Sequence, residues 1–319
     1  MNRGLLRLGL LLTICYSLFT TVNAQQDAQY SMYRYNGLYI NPAYTGSREV
    51  VSMGASYRYQ WVKIPGAPMT GSFAIHSPLK NERLAIGGIY TYDRIGVTQT
   101  NSANVSFAYR IPVGKKKKIK LCIGLSAGFD HYQAKLNDIA TTDPNDPNFV
   151  GNNQSRWLPN VGFGMYVYSE SFFVGASLPR LLTMKLNGKM GVTASDQIAR
   201  QYYHLLVSGG YVFNLGKKVK FIPSLLMKYQ PIHAPVSFDF NATFVFIDRV
   251  WVGAAYRLND SYNFMVAVNA TRQLRIGYTY DLTVSALRRY TSGTHEVFLG
   301  FDFDFRKGKV VNPRYVKYF

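Results

Sequence analysis

The chain has 319 residues, of which 36 are Lys or Arg and 17 Asp or Glu, and it carries 25 Tyr, 20 Phe and 27 Gly. Helix formers are not abundant while aromatic, β-branched and Gly residues recur throughout, an all-β composition. Beyond the amino-terminal region no run reaches the roughly eighteen consecutive apolar residues that a transmembrane helix needs, which excludes that class.

Taken in order, residues 1–24 read as a secretory signal peptide: Arg3 and Arg7 precede an apolar run from Leu8 to Phe19, and Val22, Asn23 and Ala24 fit cleavage before Gln25. Cys15 follows Ile14, where lipoprotein processing requires a small side chain, so the segment is expected to leave whole. Its departure leaves 34 basic against 17 acidic residues, a formal charge of +17, with Cys122 as the single cysteine. No intrachain disulfide is then available. The basic surplus suits anionic lipid or acidic partners, and export argues against nucleic acid.

Next comes "NPAYTG", Asn41 to Gly46. Pro42 fixes its own φ and pushes Asn41 out of helical geometry, Gly46 permits a left-handed turn, and Tyr44 places an amphipathic ring between them.

From residue 49 to residue 305 the chain alternates with period two. In "LRIGYTYDL", Leu274, Ile276, Tyr278, Tyr280 and Leu282 share one face, and Arg275, Gly277, Thr279 and Asp281 the other. Phe238, Phe240, Phe244 and Phe246 likewise oppose Asp239, Asn241 and Thr243, while Val297, Leu299, Phe301 and Phe303 oppose Glu296, Gly300 and Asp302. Strands of about nine to eleven residues match a tilted bilayer crossing, where soluble strands average roughly five to six. Tyr and Trp bound the apolar face as an aromatic girdle would.

The pattern predicts a transmembrane antiparallel β-barrel of the outer membrane with about fourteen strands, an even number as such barrels require. The strands start near Val50, Thr70, Leu84, Ala103, Ile119, Asn160, Phe172, Tyr203, Val219, Val236, Val250, Tyr262, Leu274 and Glu296. Even-to-odd connections such as Ser169–Ser171 and Leu215–Lys218 are short. The odd-to-even connections are expected to be long, above all 133–159, 180–201 and 283–295. Fourteen strands enclose more space than inward side chains fill at about eight, so water, a folded-in loop or a partner segment should occupy the lumen. The face assignment also implies that Phe240→Arg is damaging and Asn241→Arg tolerated.

Catalytic and metal-binding residues are not expected, nor any cofactor. The five His residues, His76, His131, His204, His233 and His295, fall in no metal-binding spacing, and Cys122 lies within a strand. His295–Glu296 reads as a strand-mouth His beside a lumen carboxylate. "DPNDPN" at 143–148 lacks the spaced ligands of a calcium loop and fits Asx-Pro turns. The lysines of 115–118 and Lys217–Lys218 read as solvated turns, or as a basic rim facing an acidic periplasmic partner.

"QYSMYRYNGLYINPAYTGS" (29–47), "YRYQW" (57–61) followed by "IPGAP" (64–68), "YDRIG" (92–96), "SGTHEV" (292–297) and the closing "NPRYVKYF" (312–319) together resemble the PorP/SprF family of type IX secretion membrane proteins. The resemblance implies an outer-membrane barrel of the secretion and gliding machinery. Such a barrel receives or anchors secreted adhesins through their C-terminal signal domains and contacts periplasmic or peptidoglycan-linked components. Residues 25–48 are then expected to form a periplasmic segment with "NPAYTG" as its elbow, Tyr44 in the inner aromatic girdle, and 306–319 a periplasmic tail. Candidate partner-binding residues are Asn41, Pro42, Ala43, Tyr44 and Gly46 in the elbow, with Arg180, Arg200, Arg288 and Arg289 on surface loops. Lipopolysaccharide is the competing partner for the loop arginines. A small-solute channel is the alternative function, and a lipid-active enzyme the remaining one.

Overall fold

The computed structural model describes residues 29–303 except 36, 81, 115–117, 139–152, 183, 186–199, 202–203 and 231–235. The signal-peptide segment, the carboxy-terminal tail, residues 115–117 of the lysine run, the 143–148 stretch and His233 therefore lie outside the described residues.

Fourteen strands run antiparallel: β1 (Val51–Tyr59), β2 (Met69–Pro78), β3 (Leu84–Ile95), β4 (Thr98–Val113), β5 (Ile119–Ala134), β6 (Gln154–Tyr168) and β7 (Phe172–Leu178) form the first half. The second half is β8 (Leu205–Tyr211, resuming at Phe213–Asn214), β9 (Val219–Tyr229), β10 (Ser237–Phe246), β11 (Val250–Arg257), β12 (Ser261–Asn269), β13 (Leu274–Thr283) and β14 (Thr294–Phe303). Each strand pairs with its neighbours in sequence, and β1 pairs with β14 from Val51↔Phe303 to Tyr59↔His295, closing the barrel. Closure leaves no strand edge, which lipid demands of a spanning sheet. A two-residue ladder, Met184–Lys185 with Arg200–Gln201, lies in the connection between β7 and β8.

The alternation maps onto the wall as expected. On β12 the outward Phe264 is 53% exposed and the inward Asn263 5%. The strand starts agree with the sequence pattern except on β4 and β6, which begin at Thr98 and Gln154 and not near Ala103 and Asn160. There β4, β5 and β6 rise as a tall wall of 16, 16 and 15 residues. The added rungs, such as Thr98–Asn101 and Gln154–Arg156, are polar on both faces, so no hydrophobic period marks them.

The connections also need one correction. Two at the loop end are short, residues 96–97 and 258–260, where long ones were expected. Between β3 and β4 the missing length is carried by the tall strands themselves. Between β11 and β12, of 8 and 9 residues, the wall is simply low.

The inward face is not uniformly polar. Tyr166, Phe173, Val245, Trp251, Met265, Ala267 and Phe298 point inward and are buried. They pack with Met32, Tyr35, Leu38, Tyr39, Ala43 and Tyr44 into a single cluster inside the barrel. The lumen is filled by the chain's own amino-terminal segment.

This filling changes the Asn241 expectation. Its amide donates to the Tyr33 hydroxyl at 2.9 Å, so Asn241→Arg would collide with the segment. Phe240→Arg should cost about 2–4 kcal/mol by placing a charge on the lipid face, and Asn241→Ala about 1–2 kcal/mol from two lost hydrogen bonds, to the Tyr33 hydroxyl and the Asp239 carbonyl. The heat-shifted fraction on a denaturing gel, measured across a urea series in detergent, should rank wild type above Asn241→Ala above Phe240→Arg.

Candidate functional site

The segment from Gln29 to Glu49 runs through the lumen from the loop end to the turn end. It has no hydrophobic period and folds as three single 3-10 turns, Tyr33–Tyr35, Gly37–Tyr39 and Pro42–Tyr44. Proline at the first position suits the last of these, and Asn41 caps it, its side-chain oxygen accepting from the Ala43 N–H at 2.8 Å.

The "NPAYTG" stretch is not a periplasmic elbow. Asn41, Ala43 and Tyr44 are buried inside the barrel, and Tyr44 meets His76 and Tyr166 edge-on at 5.5 and 5.7 Å rather than joining an aromatic girdle. The wall opposite is cleared by glycines. A Cβ on Gly124 would overlap the Ala43 backbone, and one on Gly164 or Gly175 would meet the Asn41 amide. Into this clearance Asn41 Nδ2 donates to the Met165 carbonyl at 3.0 Å, and Ser177 Oγ donates to the Ile40 carbonyl at 2.5 Å. Gly46, at φ +72°, turns the chain; its N–H donates to His76 Nδ1 at 3.1 Å and its carbonyl accepts from Arg110. These five predicted partner-binding residues thus bind the barrel itself.

Charged clusters fix the segment along its length. Near the loop end, Arg257 reaches Asp239 at 3.0 Å and the Gln29 side-chain oxygen at 2.8 Å. Deeper, the fully buried Arg58 donates to Asp281 at 2.7 Å and to Glu296 at 3.0 Å. Two carboxylates share one guanidinium, and the segment offsets the deficit: the Ser31 and Met32 N–H groups donate to Glu296 at 2.8 and 3.2 Å, and Ser31 Oγ donates to Asp281 at 2.8 Å. At the turn end Arg48 pairs with Asp302 through Nε at 3.0 Å and again through Nη2, while Lys120 pairs with Glu49. Between them Arg275 lies over the Tyr35 and Trp251 rings at 5.4 and 5.6 Å.

Above the segment, at the loop end, a cavity of about 570 Å³ has Tyr30, Leu38, Tyr39 and Pro42 as its floor, with Trp61 and Arg180 among its walls. Arg180 is held at 3.3 Å from Asp130. Arg288 and Arg289 close a short 3-10 turn and are exposed on the loop between β13 and β14. Arg200 sits in the two-residue ladder, and its side chain lies outside the described residues. His295 and Glu296 point to opposite faces, His295 toward the outer Tyr278 hydroxyl at 2.6 Å and Glu296 toward Arg58.

Sequence reasoning did not anticipate that four quoted stretches meet at one corner of the loop end. The Gly96 N–H donates to the Gly66 carbonyl at 2.8 Å, joining "YDRIG" to "IPGAP". Val62 exchanges backbone hydrogen bonds with Gly293 and Ser292 at 2.9 and 3.0 Å, and the Trp61 N–H donates to Thr294 Oγ1 at 3.1 Å. Trp61 and Lys63 hold φ of 51° and 82°, a backbone that only surrounding bonds sustain.

A closed barrel with an apolar outer band and a filled polar lumen is an outer-membrane β-barrel protein. The chain belongs to the PorP/SprF family of type IX secretion system membrane proteins, whose model matches residues 22–301. Similar solved structures include the monoaromatic hydrocarbon channel CymD, at 11% identity and TM-score 0.50 over 85% of this chain and 93% of that one. Another is the Acinetobacter baumannii outer membrane protein Omp33, at 11% identity and TM-score 0.47 over 80% and 98%. At this identity CymD supports the fold alone. No curated protein matches the chain.

Gly124→Val should dislodge the segment, because the Ala43 backbone cannot yield to a side chain there. Limited proteolysis of the purified barrel should then cut between residues 29 and 46, a region resistant in the wild type.

Proposed function

We infer that the protein serves in the outer membrane as the barrel on which secreted adhesins are received or anchored through their C-terminal signal domains. One observation carries this reading: the chain's own amino-terminal segment fills the lumen, so the loop end is a cup with a floor. A duct for small solutes, the alternative, needs an open path, and the buried cluster of Tyr35, Tyr44, Tyr166 and Phe298 stands across it. The loop end presents a docking surface: the corner built by Gly66, Gly96 and Gly293, the cavity walled by Trp61, and the exposed Arg288 and Arg289.

In this reading the loop end faces the cell surface and the short turns face the periplasm, reached after signal-peptide removal. The turn end exposes Lys118, Lys217, Lys218, Arg249 and Arg272, a basic rim suited to acidic periplasmic or peptidoglycan-linked secretion components. The reading assigns the barrel no catalysis: the carboxylates and guanidinium groups of its interior hold the segment in place.

Charge complementarity governs encounter and register more than affinity. Arg288→Glu with Arg289→Glu should therefore weaken adhesin retention most at low salt, while barrel abundance stays normal. Retention unchanged at every salt concentration would return these arginines to lipopolysaccharide. Independently, the wild-type barrel should conduct little in a planar bilayer and Gly124→Val should conduct more; a large, steady wild-type conductance favours the channel.

A further inference from the structure

The inward row of the last strand, β14, is Thr294, Glu296, Phe298, Gly300 and Asp302, and the amino-terminal segment engages Glu296, Phe298 and Asp302. Glu296 accepts from the Ser31 and Met32 N–H groups, Phe298 packs on Tyr35 with ring centroids 5.6 Å apart, and Asp302 pairs with Arg48. Gly300 has no side chain, and the Phe298 ring covers the space.

The seam where β14 meets β1 is the contact that turns an open sheet into a barrel. Two polar pairs lie across it in direct register, Arg58↔Glu296 and Ser52↔Asp302. Both are bonded, at 3.0 and 2.7 Å, and each is completed by the segment: Ser31 bridges the first, Arg48 the second. Only Glu49 and Val50 separate Arg48 from β1. The segment is therefore tethered beside β1 while it offers partners to β14.

We propose that the amino-terminal segment is the template on which the last strand docks, so that closure of the β1–β14 seam depends on it. The segment also bonds elsewhere on the wall, Arg34 to Thr243 on β10 and Asn41 to Met165 on β6, but Ser31 and Arg48 complete the polar pairs that cross the closing seam. The segment brings a cation to Asp302 and two N–H groups to Glu296, and one displaced rung of register would separate both carboxylates from these partners. The template thus sets register as well as closure.

The test follows closure of the full-length chain from urea into detergent micelles, read as the heat-shifted band against time. Arg48→Asp should slow closure about tenfold, the scale of one charge-assisted hydrogen bond, and Arg48→Asp with Asp302→Arg should return it near the wild-type rate. Asn41→Ala, which loosens the segment from β6 and not from the seam, should close at the wild-type rate. Should Arg48→Asp close too little to time, adding a peptide spanning residues 29–50 to that variant should raise the closed yield. The proposal is overturned if Arg48→Asp closes at the wild-type rate, if the charge swap restores nothing, if Asn41→Ala slows closure equally, or if the peptide leaves the yield of a non-closing variant unchanged.

Discussion

A fourteen-strand barrel is wider than its inward side chains can fill, and something must occupy the difference. Here that constraint is met by residues 29–49 of the same chain, and much of the interior follows from it. Buried Arg58 is sustained because two carboxylates and Ser31 surround it. Removing one member of such a cluster leaves an uncompensated buried charge and costs about 3–5 kcal/mol. The apolar members of the inward face, Phe298 and Trp251 among them, make sense only against a protein-filled lumen, since water there would leave them exposed.

The outer wall was legible in the sequence because one physical demand shapes every strand: lipid on one side, alternation with period two. Leu274 to Leu282 could be sorted by face without any structure. The heights of β4 and β6 were not legible, since rungs above the membrane carry no apolar mark. The lumen segment escaped for a different reason. Single 3-10 turns have no repeat long enough to read, and Asn41, Pro42 and Gly46 suit an exposed turn as well as a buried one. Signals were nevertheless present on the wall. Phe298 sits in the inward row of β14 between Glu296 and Gly300, and Met265 and Ala267 share the inward face of β12 with Asn263. Apolar residues on a face expected to be wet indicate a protein partner inside. Which partner could not be read, because the in-register pairing of Arg58 with Glu296 and of Ser52 with Asp302 joins opposite ends of the chain.

The glycines illustrate the same division. Gly66 and Gly96 have positive φ at a loop tip, a local demand that sequence can suggest. Gly124, Gly164 and Gly175 lie in ordinary strands, and their requirement is remote: they leave room for Asn41 and Ala43. Remote requirements of this kind appear only once the lumen is seen to be occupied.

The segment, by its course, joins the two ends of the molecule. It is tethered at the turn end through Arg48 and Glu49, while Gln29 reaches Arg257 at the loop end. Between these two ends Tyr30 and Tyr39 line the loop-end cavity. One covalent stretch, continuing directly into β1, thus lines the loop-end cavity and pairs with the wall at the turn end, about a bilayer away.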